Sequence, residues 1–405
     1  MLDIEKIRSD FPILNQKING NKLVYLDNSA TAHKPQQVID SITEFYSRMN
    51  CNVHRSAHYL SEQASNAYES VRKTVKNFIN AKKTEEIVFT SGTTESINLI
   101  ADSFGRTFIN KDDEIITTEM EHHSNIVPWQ MLCENKGAKL KIIPFNDNGT
   151  LLMDKLKNLI TDKTKIISVT YVSNVLGTIN PVKDIIKIAH SKDIPVLIDG
   201  AQAVQHISVD VQDLDCDFFV FSGHKLYAET GVGVLYAKEK WLKAMPPYKY
   251  GGGMISNVSF KKTTFADIPF KFEAGTSNIS AVISLGKAIE YVNNIGIEEI
   301  QKNENELMNY AIDQLTSLSG ITIYGNPPKR CGIISFNLEN IHHYDAVMIL
   351  DKMGIAVRSG THCAEPVMSH YGINGNIRAS LALYNSKEDI DRLIKGLKKV
   401  QEMHQ

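Results

Sequence analysis

Seven short runs of apolar, largely β-branched residues recur between residues 87 and 236, and most are separated by amphipathic stretches of helical length. Few folds accommodate that alternation. The runs are Ile87-Val88-Phe89, Glu114-Ile115-Ile116-Thr117, Leu140-Lys141-Ile142-Ile143, Lys165-Ile166-Ile167-Ser168-Val169, Pro195-Val196-Leu197-Ile198, Phe218-Phe219-Val220-Phe221 and Gly231-Val232-Gly233-Val234-Leu235-Tyr236. Strands this uniformly apolar read as buried on both faces. With helical patterns between them, such as Glu95 to Ser103 and Val182 to His190, they predict an α/β layer around a mostly parallel sheet. The seventh run follows the sixth too closely for a helical crossover, so it is expected as an antiparallel addition.

Gly251-Gly252-Gly253 breaks this pattern and marks a loop. A helical stretch from about Ser280 to Ile295 then leads into a region of α+β character. There the order is helix, strand (Ile321 to Tyr324), strand (Ile333 to Phe336), helix (Asp345 to Lys352), a run at Ile355-Ala356-Val357, and a last helix from Lys387. A chain of 405 residues exceeds one small core. We therefore expect a large domain over residues 20–290, and a smaller α+β domain from 1–19 and 291–405 that carries Cys363.

Hydrophobic content of 42% and a net charge of −2 describe an ordinary globular protein without general attraction to nucleic acid or anionic membrane. The start, Met1 to Lys6, has neither signal-peptide nor transit-peptide character, and no stretch is apolar and long enough to span a bilayer. A cytoplasmic location is the default expectation. Five scattered cysteines without a Cys-x-x-Cys pair argue against a disulfide framework or a structural zinc site.

Five segments carry candidate chemistry. Ser222-Gly223-His224-Lys225 follows a buried-looking strand, where desolvation would lower the lysine's pKa and free its amine for Schiff-base chemistry. The bland alternative is a surface lysine in a loop. Asp199 ends another strand, before Gly200-Ala201-Gln202. It can partner a pyridine nitrogen in the crevice of an α/β sheet or simply cap a helix. Thr90-Ser91-Gly92-Thr93-Thr94-Glu95 puts small hydroxyl residues at a helix start, an anion site, a capping arrangement, or both. In Glu121-His122-His123-Ser124 no third metal ligand stands at helical spacing. An imidazole stacked on a cofactor ring, titrating near neutral pH and shuttling protons, is the better reading.

The fifth segment is Arg358-Ser359-Gly360-Thr361-His362-Cys363, with Arg378 beyond it. Both arginines can clamp a carboxylate, and cationic neighbours favour a thiolate at Cys363. Cys216, between Asp215 and Asp217, is in the opposite situation.

Taken in this order, the segments closely resemble the cysteine desulfurases of the SUF sulfur-mobilisation system, which belong to the fold-type I, class V aminotransferase-like group. The resemblance runs from Asp10-Phe11-Pro12 to the last helix. It includes Tyr25-Leu26-Asp27, Asn52-Val53-His54-Arg55, Val172 to Thr178, Phe272-Glu273-Ala274-Gly275-Thr276 and Arg378-Ala379-Ser380-Leu381. It implies pyridoxal 5′-phosphate as cofactor, with Lys225 as its Schiff-base lysine, Asp199 on the pyridinium nitrogen and His122 stacked on the ring. Asn174 and Gln202 would contact the ring hydroxyl region. Thr93, Thr94, Ser222 and His224 would hold the phosphate, joined by Thr276 from a partner subunit in a homodimer with shared sites. Arg378 would hold the carboxylate of L-cysteine, with Arg358 and His54 at the entrance and Cys363 as nucleophile. No metal is implied.

The compact Thr361 to Pro366 stretch resembles the subgroup that hands sulfur to a separate acceptor protein of the SufE or SufU kind. Two stretches depart from the family pattern. Ala228-Glu229 stands in place of Gly-Pro, and Lys249-Tyr250 replaces residues that include an acid. A selenocysteine lyase or an aminotransferase on the same fold shares the lysine and aspartate, and Cys363 favours desulfuration. A cofactor-free scaffold is disfavoured by the intact Lys225, Asp199 and His122.

Overall fold

The computed structural model describes residues 2–404. The seven apolar runs form the seven strands of one sheet: β1 (Ile87–Thr90), β2 (Glu114–Thr118), β3 (Lys139–Ile143), β4 (Thr164–Thr170), β5 (Val196–Asp199), β6 (Phe218–Ser222) and β7 (Gly233–Ala237). Their spatial order is β1-β7-β6-β5-β4-β2-β3. Strands β6, β5, β4, β2 and β3 pair in parallel. Strand β7 runs antiparallel to both of its neighbours, β1 and β6, as its short connection to β6 requires.

Residues of β2, β5, β6 and β7 are buried throughout. Strand β3 departs from that expectation: as the edge strand it exposes Lys139 and Ile142, and Lys141 reaches back to Glu114 at 2.8 Å. Charged side chains on an open edge discourage pairing with another chain.

Helices Thr93–Phe108 and Val182–His190 occupy the positions the amphipathic patterns indicate. The parallel strands all end at one edge of the sheet, and β1, antiparallel to β7, ends there too. That edge is where α/β sheets bind ligands.

Beyond helix Ile279–Ile295 the chain builds a second layer. Four antiparallel strands, in the order Ile321–Ile323, Ile333–Leu338, Asn376–Ser380, Arg358–Gly360, pack with helices Ile297–Thr316, His343–Lys352 and Lys387–Met403. The short run Ile355–Ala356 stays outside this sheet and pairs in parallel with Val24–Tyr25. Val24 and Leu26 join the hydrophobic cluster of this layer, whereas Ile7, Phe11 and Leu14 pack in the main cluster of the large sheet. Residues 7–14 thus pack with the large sheet, and residues 23–26 divide between the two clusters. Among the described residues no helix is long and apolar enough to cross a membrane.

Candidate active site

The C-terminal strand ends converge on a cavity of about 200 Å³. The turn after β1 supplies Thr93 and Thr94, and the loop after β2 supplies His122. The end of β4 and the loop beyond it supply Thr170, Val172 and Asn174. Asp199 ends β5, and Gln202 follows it. Ser222 ends β6, with His224 and Lys225 next along the chain. The second layer contributes Arg358, His362, Cys363 and Arg378. Lys225 and Cys363, separated by 138 residues (363 − 225) in the chain, face one space.

The register of β7 shapes one end of it. Gly233 stands opposite both Thr90 and Ser222, and a Cβ on Gly233 would meet the Gly92 backbone at 2.4 Å. The missing side chain lets the Gly92 turn close on Ser222. Ser222 Oγ accepts from Thr93 N at 2.8 Å and lies 2.8 Å from Thr93 Oγ1. Helix Thr93–Phe108 therefore opens on hydroxyls and free amides, a setting that suits a phosphate. The Glu95 carboxylate accepts from Ser91 N at 2.6 Å, so capping and anion site coexist. Glu95 also meets Lys249, and Tyr250 accepts from Arg106 Nη1 at 2.8 Å. The departure from family pattern at 249–250 thus anchors this turn with a basic residue.

At the cavity wall, Asp199 is 3% exposed. Oδ1 accepts from Ala201 N at 2.9 Å. Burial raises its pKa, opposed by the Lys225 charge. Lys225 is pushed down to about 8, first by burial and further by Arg378 and Arg358, while Asp199 and Cys363 pull it up. Arg378 is pushed down to about 10, first by burial, with Asp27 and, least of all, Cys363 opposing that shift; the thiol, the amine and the guanidinium share one electrostatic space. Burial pushes the thiols of Cys216 and Cys331 well up and that of Cys133 to about 11.

His122 corrects an expectation. Burial, with Lys225 and other cations nearby, pushes it down to about 3, so it is a neutral imidazole at physiological pH and does not titrate there. Ser124 N donates to Nδ1 at 3.1 Å, which leaves the ring proton on Nε2. Glu121, next in the chain, is wholly buried and pushed up to about 8 by burial. It accepts from Thr118 Oγ1, Thr170 N and Asn125 Nδ2 at 2.6–2.8 Å.

Arg378 donates to Asn174 O (2.9 Å) and to Asp27 Oδ1 (3.1 Å). Among the described residues its buried Nε has no partner, nor do Ser29 Oγ and His362 Nδ1. All three residues line the cavity, and buried polar atoms left open mark a place meant to be filled.

Two residues singled out in the sequence lie elsewhere. Thr276 is exposed. His54 is exposed with φ +63°, lies 3.2 Å from Glu69, and lines a separate pocket with Arg55, Phe270 and Glu273. Ser29, Ala30, Ser124, Thr170, Val172, Ala201 and His362 line the cavity without having been singled out. Strand-end position was the available signal for Thr170 and Val172. Ser29 and Ala30 follow the matching stretch Tyr25-Leu26-Asp27.

Fold and cavity define a class: a fold-type I enzyme whose cavity gathers a lysine, a buried aspartate and a hydroxyl-lined helix start. The chain matches the family Aminotransferase class-V over residues 24–393. A cysteine desulfurase of Salmonella agona (strain SL483) is 53% identical over 401 residues, covering 99% of this chain and 98% of the relative. Among solved structures, the cysteine desulfurase CsdA (S-sulfonic acid) of Escherichia coli superposes with a TM-score of 0.92 at 38% identity, covering 100% of this chain and 99% of that one. The apo cysteine desulfurase of Thermococcus onnurineus NA1 gives 0.94 at 39%, covering 99% and 98%. The chain belongs to the class V aminotransferase family, and within it to the cysteine desulfurases. These enzymes use pyridoxal 5′-phosphate. The hydroxyl-lined helix start, the buried carboxylate and the three open polar atoms fit that cofactor.

Proposed function

We propose that this cleft converts L-cysteine to L-alanine and leaves the sulfur as a persulfide on Cys363. The carrying observation is that Lys225 and Cys363 line the same cavity, with Asp199 in its wall. Lys225, Asp199, Thr93, Thr94, Asn174, Gln202, Ser222 and His224 would hold the cofactor. When bound, it supplies an electron sink for the substrate's α-carbon.

The protein's own groups supply the rest. Arg378 and Arg358 attract the substrate carboxylate. Lys225, with its proton affinity lowered by burial, takes the α-proton and returns it. Neutral His122 offers an N–H at Nε2 and carries no charge that would oppose the cations around it. The Cys363 thiolate attacks the substrate sulfur; an S–S bond forms, the C–S bond breaks, and its electrons stay with the carbon skeleton that becomes alanine.

The finer reading is a SUF-type enzyme serving iron–sulfur assembly through a SufE- or SufU-like acceptor in the cytoplasm, supported by the compact Thr361–Pro366 stretch. The same cleft would act on L-selenocysteine, and comparing rates on the two amino acids sets the preference. We extend the reading to a homodimer in which a second copy brings its exposed Thr276 to the phosphate cradle; sedimentation as a monomer of the loaded enzyme would remove that extension.

Incubation with L-cysteine, followed by mass spectrometry, should show one added sulfur on the Cys363 peptide and equimolar alanine. Cys363→Ser should keep the cofactor's colour and form no persulfide. Alanine production at the wild-type rate in that variant would overturn the role of Cys363.

A further inference from the structure

Cys363 sits on a loop that its own backbone does not favour. His362 and Cys363 both take left-handed conformations, φ +56° and +55°, a region L-residues other than Gly, Asn and Asp seldom occupy. Two such residues in succession persist when their surroundings hold them. Here the holding groups come from across the cleft. His123 N donates to Cys363 O at 2.8 Å. Asn174 Nδ2 donates to His362 O at 2.8 Å. On its own side, His362 Nε2 meets Asn376 Oδ1 at 2.7 Å.

Two residues past the thiol, Glu365 completes the arrangement. Its Oε1 accepts from Thr361 Oγ1 at 3.0 Å, spanning the loop, and its Oε2 contacts His123 Nε2. His123 therefore grips the loop twice, by main chain at Cys363 and by side chain at Glu365.

We propose that Glu365 is a positioning residue: with His123 it latches the loop against the large domain so that the Cys363 thiol faces the cleft, and unlatching releases the loop for sulfur delivery. This rests on the reading of Cys363 as the sulfur carrier. The strength of the pair suits such a device. His123 and Glu365 side chains are 39% and 54% exposed, and an exposed pair shifts an equilibrium about two- to fivefold. That sets a resting position and still permits opening without unfolding. With the latch broken, the left-handed turn and the bonds to the Cys363 and His362 carbonyls still form, but they open about two to five times more often, so the loop keeps its fold while leaving its resting position more readily.

Glu365→Gln keeps the size and an acceptor for Thr361 while removing the charge. In the cofactor-loaded enzyme, alkylation of Cys363 by iodoacetamide should run about two to five times faster than wild type. Hydrogen exchange in the peptide spanning His123 should rise by the same factor, with the KM for L-cysteine unchanged. His123→Asn should give a similar acceleration, and the double variant should add little to either single one, the signature of a coupled pair. Glu365→Asp, retaining the charge, should recover part of the wild-type protection. An unaltered melting temperature in Glu365→Gln separates unlatching from misfolding. Wild-type alkylation and exchange rates in Glu365→Gln, or fully additive effects in the double variant, would overturn the latch. Failure of the underlying reading looks different: the added sulfur would then be missing from the Cys363 peptide of the wild-type enzyme itself.

Discussion

At Lys225 and His122 burial has opposite chemical value. Both lose affinity for a proton. For the amine this creates a usable base near neutral pH, and for the imidazole it removes a charge. Glu121 shows the reverse case, an acid holding its proton because its anion is desolvated. Its pKa rises from 4.5 to about 8 on folding, so between those values the folded chain binds more protons than the unfolded one. Stability in that window falls as pH rises, by at most about 1.4 kcal/mol per pH unit from this residue. Glu121→Gln, which keeps an acceptor and drops the titration, should flatten that slope in urea melts of the cofactor-free protein between pH 5 and 8. An unchanged slope would show that Glu121 is ionised in the fold. The sequence makes the existence of such residues visible but not their protonation. The motif Glu121-His122-His123 reads as a proton-handling site, and only the packing around His122 shows that it does not titrate near neutrality.

At the scale of elements, the strand β7 carries more than its hydrogen bonds. Its first residue has no Cβ because the Gly92 turn occupies that space. Gly233→Ala would drive a methyl into backbone, which cannot swing aside as a side chain can. We expect a loss of about 1–3 kcal/mol in stability and, more tellingly, weaker retention of pyridoxal phosphate. Denaturant melts and cofactor titration measure the two separately; wild-type cofactor affinity in Gly233→Ala would detach the cradle from this contact. The strands and helices themselves were readable, since short, largely apolar and β-branched runs of three to six residues between helical patterns have few alternatives in an α/β chain. Strand β3 was readable as a strand but not as an edge, because edge position depends on sheet order and no local pattern encodes it. The run Ile355–Ala356 was similarly legible as extended, while its partner, Val24–Tyr25, lies some 330 residues away (355 − 24 = 331).

Across the whole molecule the first helix, Ile4–Ser9, is tied to the last layer. Arg8 donates to Asp389 at 2.8 Å and to Tyr384 O at 2.8 Å, with both charged side chains almost fully buried. Removing one member of a buried pair strands the other, at a cost of about 3–5 kcal/mol. Arg8→Ala should therefore lower the thermal transition markedly, whereas Lys183→Ala, which loses a pair 62% exposed on both sides, should leave it nearly in place. Equal effects from the two would mean that the Arg8 pair stays hydrated in solution. The sequence by itself determined the strand and helix alternation, the chemical types at the cleft, and the resemblance that orders them, because each rests on contiguous residues whose side chains speak for themselves. The tertiary structure decided which of those residues meet. It brought Lys225 and Cys363 to one cavity, left His54 and Thr276 outside it, neutralised His122, and clamped the cysteine loop through His123 and Asn174. Those outcomes depend on sheet order and on solvent exclusion, both of which arise only when segments far apart in the chain pack against one another.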